Sequence, residues 1–285
     1  DQYVQFFLRV AKKQLTLVAK WMSLGFIHGV MNTDNTSIAG ETLDFGPCAF
    51  MDTFSHHKVF SAIDRFGRYR YDQQGEIALW NLSSFASCLT VLCEGDQESI
   101  VKRFEDEIQN LSHFFKQTKT QLMVNKLGIF KAAQGDEQLV DDFLNYLQEQ
   151  KLDFTISFRH IPEQLKHPTG IYKQIKKRLE SQEQTLEESI SLMKRVNPSI
   201  IPRNHLVEKA IQNCYANDDS FFKLFTQALQ SPYDDNIKHK VFSQAPNPDE
   251  IVHQIPNALF LYQSKIQTPS VNMEITVHKP LQSPN

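Results

Sequence analysis

Cysteine and long apolar runs are both scarce in this sequence of 285 residues. Its four cysteines form no CxxC pair and are too few for a disulfide scaffold, which favours a reducing compartment. Cys88 and Cys93 lie in an apolar run, and we expect both to be buried small hydrophobes. No run reaches the roughly 18 consecutive apolar residues of a spanning helix, and none resembles a signal peptide. These absences predict a soluble intracellular protein with no membrane partner, cytoplasmic if bacterial and mitochondrial if eukaryotic.

An excess of positive charge is also lacking. The formal net charge is -3 and the pI is about 6.4, which argues against a nucleic-acid partner, because binding to a phosphate backbone needs clustered lysine and arginine. The apolar fraction of 41% is ample for a packed core in one large domain or two ordinary ones. Because the chain lacks an initiator Met and begins in a helical pattern, we expect it to be the downstream part of a longer protein.

Helical periodicity dominates the sequence. Apolar residues recur at spacings of three and four through residues 1–24, so we expect an amphipathic helix there, ended by Gly25 in a left-handed conformation. The apolar segment from Trp80 is interpreted as a helix buried on all sides, with Asn81 or Ser83 as its cap. Further helices are predicted over residues 100–115, 119–127, 139–147, 203–211 and 220–229, and short extended pieces near Ile38 and at residues 42–43. The predicted fold class is therefore mainly α, with minor β structure.

A polar segment at residues 25–47 interrupts this apolar pattern. It carries five side chains with oxygen or nitrogen donors: His28, Asn32, Asp34, Asn35 and Asp44. Carboxylate and amide oxygens, together with phosphate oxygens, are the ligands that hard cations such as magnesium prefer. The segment is therefore the first candidate for a metal and phosphate site, suited to phosphoryl or nucleotidyl transfer.

The spacing within this segment matches two kinase motifs in part. His28 and Asn35 are seven residues apart, like the ends of the kinase catalytic loop H-R-D-L-x-x-x-N, and residues 44–46 read D-F-G, the kinase metal motif. However, Val30 stands where a kinase has its catalytic Asp, and valine cannot accept a proton. Asp34 is the nearest carboxylate that could serve as the base. The alternative is that Asp34 only caps the loop by accepting backbone N–H bonds.

Three arginines follow in an aromatic and irregular stretch at residues 47–75, namely Arg65, Arg68 and Arg70. Their planar guanidinium groups could bind phosphate. Arginines among tyrosines also act as structural clamps, which stack on rings and pair with local carboxylates. The clamp is the preferred interpretation, because an arginine among tyrosines is at least as often a clamp as a phosphate ligand.

Several segments closely resemble one known family. They are GFIHGVMNTDNTSI from Gly25, LDFGP from Leu43, FMDTF from Phe50, Gly-Arg-Tyr at 67–69, WNL from Trp80, RNHLVEKAI from Arg203 and SPY from Ser231. On these motifs the chain is similar to the selenoprotein O family, also called YdiU, of kinase-like protein adenylyltransferases, over most of residues 1–235. The resemblance implies the C-terminal lobe of a kinase-like fold with a helical C-terminal extension. The family's N-terminal lobe is expected to be missing, because no G-x-G-x-x-G is present.

The resemblance also implies a chemistry. AMP would move from ATP, bound in a flipped orientation, to a Ser, Thr or Tyr hydroxyl of a protein, and pyrophosphate would leave. Asp34 would accept the hydroxyl proton. Asn35 and Asp44 would bind magnesium, or manganese in its place, and Asp44 would contact ATP through the metal. His28 would orient the loop rather than react. No cysteine follows Cys214, so the selenocysteine-linked redox element of some family members is not supported.

The implied domains are a kinase-like catalytic core at residues 1–95, a helical extension at 96–232 and an extended or partly disordered tail at 233–285, where Pro, Asn, Gln and Ser accumulate. We expect the chain alone to be inactive. Two alternatives to adenylyl transfer stay open: a true kinase in which Asp34 is a displaced base, and a pseudokinase scaffold without catalysis. The intact polar segment weighs against the scaffold.

Overall fold

Helices make up most of the regular structure in the computed structural model, which describes residues 2–235 and 237–247. The α-helices are α1 (Gln2–Ser23), α2 (Gln74–Thr90), α3 (Gln97–Lys126), α4 (Asp136–Glu149), α5 (Phe154–Arg159), α6 (Ile161–Gln164), α7 (Ile171–Leu179), α8 (Leu186–Val196), α9 (Asn204–Tyr215) and α10 (Ser220–Leu229). Strands β1 (Phe26–Ile27) and β2 (Ala49–Phe50) pair antiparallel, and 3₁₀ helices span Thr33–Asn35, Tyr71–Gln73 and Ile237–Ser243. The prediction of a mainly α fold is confirmed. None of the described helices has the length and apolar character that crossing a membrane requires.

Helix α1 packs against both α2 and α3. The ring of Phe7, which is fully buried, lies 5.4 Å from the ring of Phe104 in α3 and 6.2 Å from that of Phe85 in α2. Burying a side chain of this size stabilises a fold by about 1.5–3 kcal/mol, and a favourable ring pair adds about 0.5–1.5 kcal/mol. The predicted apolar stripe of α1 is therefore the centre of a three-helix core.

Gly25 turns the chain from α1 into β1. Its φ is 70°, as predicted, and a Cβ at this position would lie 2.8 Å from Cδ1 of Phe154 in α5. Both the left-handed backbone and the close ring favour glycine. The Gly25 carbonyl accepts the backbone N–H of Met51 at 2.8 Å, which extends the pairing of β1 with β2. Residues 28–48 are called the polar loop below. The pairing of β1 with β2 holds the two ends of this loop together, and we call this strand pair the base of the loop.

The predicted extended pieces near Ile38 and at residues 42–43 hold only in part. Ile38 lies in a turn, and Thr42 is extended only in an isolated bridge with Thr36. The strands lie instead on either side of the polar loop, because their pairing is set by closure of the whole loop and not by local residue preference. In addition, the two helices predicted over residues 100–115 and 119–127 are the single helix α3, since the polar residues between them do not break a helix.

The predictions for α2 also need correction. The helix begins at Gln74, so Asn81 and Ser83 lie inside it and do not cap it. Trp80 is 53% exposed, Cys88 is exposed and Cys93 is only half-buried, whereas all were expected in the core. The physical reason is that α2 packs against α1 and α3 on one side, which leaves a stripe of apolar residues at the surface.

A buried ion cluster is one of the links between the helices after α3 and the first part of the chain. Arg203, just before α9, is 1% exposed and forms ion pairs with Asp52, which follows β2, and with Asp153 at 2.7 Å. Asp153 also caps α5 by accepting the N–H of Ile156. The backbone N–H of Phe154 donates to the carbonyl of Asp52 at 2.8 Å. Residues far apart in sequence are thereby fixed together next to the base of the polar loop.

The first residues of the predicted tail include the 3₁₀ helix Ile237–Ser243. Phe242 in this helix is buried, and its ring lies 5.2 Å from that of Phe225 in α10. Residues 248–285 of the predicted tail lie outside the described residues. The likeness to a kinase lobe, the domain boundaries and the expected missing lobe stay predictions.

Candidate active site

Two buried polar side chains of α1 hold one side of the polar loop. Nε2 of Gln14 donates to the carbonyl of Ser37, and the indole Nε1–H of Trp21 donates to Oγ1 of Thr42 at 3.1 Å. Gln14, Trp21 and Thr42 are all buried. Each such bond contributes only about 0.5–1.5 kcal/mol, but leaving a buried donor without a partner costs about 1–3 kcal/mol, so these bonds favour one loop conformation.

Helix α2 holds the other side of the loop. Gln74 is completely buried: its Oε1 accepts the backbone N–H of His28 at 3.0 Å, and its Nε2 donates to the carbonyl of Phe26 at 3.0 Å. Nδ2 of Asn81 donates to the carbonyl of Met31 at 3.0 Å. Sequence reasoning missed the role of both amides. The available signal was a polar amide on the buried face of an otherwise apolar helix, since such a group needs a partner.

His28 links the start of the polar loop to its end. Its ring is 1% exposed and lies 5.2 Å from the ring of Trp21. Nε2 donates to the carbonyl of Leu43 at 2.6 Å, and Nδ1 accepts the N–H of Val30 at 3.4 Å. Burial lowers the pKa of His28 more than the bond to Leu43 raises it, so the ring is neutral at pH 7. The ring therefore positions the residue before Asp44, in agreement with the orienting role expected for it.

Asn35 and Asp44 are in direct contact. Nδ2 of Asn35 donates to Oδ2 of Asp44 at 3.1 Å and to the carbonyl of Val30 at 3.0 Å. Asp44 has a left-handed φ of 55°, and its Oδ1 accepts the N–H of Gly46 at 3.2 Å. Because both bonds of the Asn35 amide use its nitrogen, its Oδ1 has no hydrogen bond within the part of the chain that the structure describes. The two side chains thus present oxygen donors beside one another.

Asp34 lies in the 3₁₀ turn Thr33–Asn35, and its side chain is exposed. The turn is closed by backbone bonds: the N–H of Asn35 donates to Asn32 at 3.0 Å and that of Thr36 to Thr33 at 3.2 Å. Within residues 2–235 and 237–247, the Asp34 carboxylate forms neither a hydrogen bond nor an ion pair. If Asp34 capped the loop, its carboxylate would accept backbone N–H bonds. No such bond is present among the described residues.

The donor set fits a hard cation that is shared with phosphate. In the described ranges no group of three or more His, Cys, Asp and Glu side chains could hold a metal by itself. Asn35 and Asp44 supply an amide oxygen and a carboxylate. Mg²⁺ is commonly bound by one or two carboxylates together with phosphate oxygens and water, not by a complete protein cage. The pair therefore suits magnesium that arrives with a nucleotide.

An open groove of about 620 Å³ borders the polar loop. We call it the arginine groove; it is formed by residues 63–70 together with Val30, Asn32, Gln73 and Ile77. The Nε of Arg70 pairs with Asp72 at 2.6 Å, and the guanidinium of Arg68 lies 4.9 Å from the ring of Trp80. Arg70 thus pairs with a local carboxylate and Arg68 stacks on a ring, but the charge of Arg68 has no carboxylate partner among the described residues. Arg65 is exposed and has no carboxylate partner in the described part of the chain.

Comparison with known proteins identifies the family. A family model described as "Protein adenylyltransferase SelO" matches residues 1–231. The chain belongs to the SelO family. The matched residues include α1 and end two residues after α10. They therefore include the polar loop, the arginine groove and the Arg203 cluster.

Individual SelO-family relatives agree with the match. The "Protein nucleotidyltransferase YdiU" of Halalkalibacterium halodurans is 38% identical over 264 residues, which are 89% of this chain and 54% of the relative. The protein of the same name from Bradyrhizobium sp. (strain BTAi1) is 38% identical over 261 residues, 86% of this chain and 53% of the relative. That of Maridesulfovibrio salexigens is 40% identical over 269 residues, 89% of this chain and 54% of the relative. The chain spans about half the length of the curated relatives that it matches.

Proposed function

We propose that the protein that contains this chain moves AMP from ATP to a Ser, Thr or Tyr hydroxyl of another protein in a magnesium-dependent reaction. The proposal rests on Asp34, whose exposed carboxylate has no partner among the described residues. Asp34 directly precedes Asn35, which is hydrogen-bonded to Asp44. The names of the family and of its relatives, protein adenylyltransferase and protein nucleotidyltransferase, support the same reaction type.

The proposed step is a displacement at phosphorus. The hydroxyl oxygen of the acceptor forms a bond to the α-phosphorus of ATP, the bond from that phosphorus to the oxygen bridging to the β-phosphate breaks, and pyrophosphate leaves. The Asp34 carboxylate accepts the hydroxyl proton and later releases it to solvent. Asn35 and Asp44 would hold the magnesium, which neutralises phosphate charge when it is bound. His28 keeps the segment before Asp44 in place, so that the ligands are positioned before ATP arrives.

Asp34 is the best candidate for the base for two reasons. Val30, at the ordinary kinase base position, has no proton acceptor in its side chain. The Asp34 carboxylate forms no structural bond in the described ranges, so its oxygens are available to a substrate. Glu41, the next carboxylate along the loop, is also exposed and is the natural control, because it has similar chemistry but lies seven residues further on.

Labelled ATP tests the proposal directly. The whole protein is incubated with magnesium, candidate acceptor proteins and ATP that carries a label on either the α- or the γ-phosphate. We expect only the α-label to become attached to protein, with release of pyrophosphate. Attachment of the γ-label would identify a kinase with Asp34 as a displaced base. ATP binding without attachment of either label would identify a scaffold.

A further inference from the structure

The arginine groove is not used by the proposed transfer step, although it borders the site. Val30 and Asn32 of the polar loop form part of its wall. The hydroxyl of Tyr69 donates to Oδ1 of Asn32, two residues before Asp34. A segment that lies in the groove therefore contacts the polar loop two residues before the proposed base.

The groove has a preformed shape. Oδ1 and Oδ2 of Asp64 accept the backbone N–H groups of Arg68 and Tyr69, both at 2.8 Å. Gly67 supplies the left-handed turn between them, with a φ of 66°. Asp64 is the one carboxylate among residues 63–70, and both of its oxygens are engaged by backbone. The acidic residue of the groove thus shapes the turn and does not pair with the exposed arginines.

Two positive charges remain exposed in the groove beside apolar side chains. Arg65 and Arg68 are exposed and have no carboxylate partner in the described ranges; Arg68 is supported only by rings, including that of Trp80. Phe66 is 95% exposed and Ile63 is 82% exposed. Adjacent exposed apolar and cationic side chains are typical of surfaces that bind another protein.

We infer that the arginine groove binds the acceptor protein, through a segment that carries an acidic and an apolar side chain near the hydroxyl that receives AMP. The inference rests on the proposed function. Charge complementarity identifies this partner, because guanidinium groups without carboxylates bind carboxylates through paired N–H donors. The apolar side chain covers Phe66 and Ile63, which otherwise remain hydrated. The open groove, about 620 Å³ in volume, suits an extended segment more than an enclosed small molecule.

Two short fluorescent peptides test the inference on the whole protein. Each carries one Ser, one Thr and one Tyr; in the first these are flanked by Glu and Leu, and in the second by Lys and Leu. We expect anisotropy to show at least about tenfold tighter binding of the Glu peptide, and the preference to reverse in an Arg65→Glu/Arg68→Glu variant. Phe66→Ser should weaken binding of both peptides about threefold. The matched control, Lys173→Glu/Lys177→Glu on exposed positions of α7, carries the same charge change and should alter neither.

Three results would overturn the inference, and a fourth would overturn the proposed function on which it rests. Equal binding of the two peptides, or an unchanged preference in the groove variant with a normal melting temperature, would show that the groove does not select acidic segments. Weaker binding of ATP and magnesium in that variant, with unchanged peptide binding, would make the groove a nucleotide site. A reversed peptide preference without any α-label transfer would contradict the proposed function instead, and with it the role of the bound segment as acceptor.

Discussion

Aspartates of the Arg203 cluster and of the polar loop have opposite surroundings. In the Arg203 cluster, Asp52 and Asp153 pair with a guanidinium that is 1% exposed. In the polar loop, Asp34 is exposed and has no partner among the described residues, and Asp44 is bonded only by an amide and a backbone N–H. The same residue type therefore stabilises the fold in one place and is available for chemistry in the other.

The difference separates stability from activity. A buried charge that loses its partner keeps its desolvation penalty, so the Arg203 cluster should respond to substitution with large losses of stability. An exposed carboxylate without bonds costs the fold almost nothing to replace. Substitution of Asp34 should therefore change reaction rates and leave the melting temperature nearly unchanged.

The largest effect is expected for Asp34→Asn in the whole protein. If Asp34 is the base, the rate of AMP transfer should fall by roughly 10² to 10⁴, the span typical of a positioned general base. The affinity for ATP and magnesium should change little, because Asn35 and Asp44 remain. The rate is measured by α-label transfer and the affinity by calorimetry. Glu41→Gln serves as the control and should keep the normal rate; an Asp34→Asn enzyme with a normal rate would end the assignment.

Arg203→Ala tests the opposite region. We expect a loss of about 3–5 kcal/mol in the free energy of unfolding, because Asp52 and Asp153 would stay partly buried without a counter-ion. Urea or thermal unfolding of this chain measures the loss. Arg195→Ala, at an exposed position of α8, should cost less than about 0.5 kcal/mol. A similar loss in both variants would mean that the cluster has no special role.

Asp44→Ala and Asn35→Ala sharpen the comparison within the loop. Each should lower the transfer rate at least about 10²-fold, because removal of one ligand leaves the charge of the triphosphate poorly neutralised. Titration with magnesium should show that higher concentrations restore part of the rate. Near-normal transfer with normal magnesium dependence in either variant would show that the ligand assignment is wrong.

Gly25→Ala should have a smaller effect on stability. The left-handed backbone costs an alanine about 1–2 kcal/mol, and the added Cβ would also press on the ring of Phe154. Thermal unfolding measures the loss. Gly135 is the matched control, because its φ is also left-handed but no heavy atom lies within 4 Å of the position that a Cβ would occupy. The difference between the two alanine variants therefore isolates the ring contact.

Lys126 offers a third environment, a buried cation without a carboxylate partner in the described part of the chain. Burial lowers its pKa to about 7, although the rings of Phe158 and Phe154, 4.3 and 5.3 Å from Nζ, offset part of that cost. Between pH 7 and about 10 the unfolded chain holds this proton and the folded chain does not, so stability should rise with pH by at most about 1.4 kcal/mol per unit. Lys126→Met should flatten this dependence in urea unfolding; an unchanged slope would contradict the assignment.

Sequence alone determined the features that depend on neighbouring residues. The helical stripes of α1, α4 and α10 follow from a period of 3.6, and the end of α1 follows from the freedom of Gly25 at positive φ. The polar segment was evident from residue types and spacing, and the family from the resemblance of whole motifs to known members. The roles of Asp34, Asn35 and Asp44 are predictions from the sequence that the geometry supports and labelled ATP can test.

Only the tertiary structure decided which polar groups support the fold and which are available. Gln74 bonds His28 across 46 residues, and Arg203 bonds Asp52 across 151. Nothing in the local pattern links such pairs, since they meet only when helices and loop pack together. The exposure of Trp80 on α2 has the same cause. Packing decides which neighbours an Asp meets, and so whether its carboxylate forms an ion pair. This is the difference between the aspartates of the Arg203 cluster and Asp34 of the polar loop.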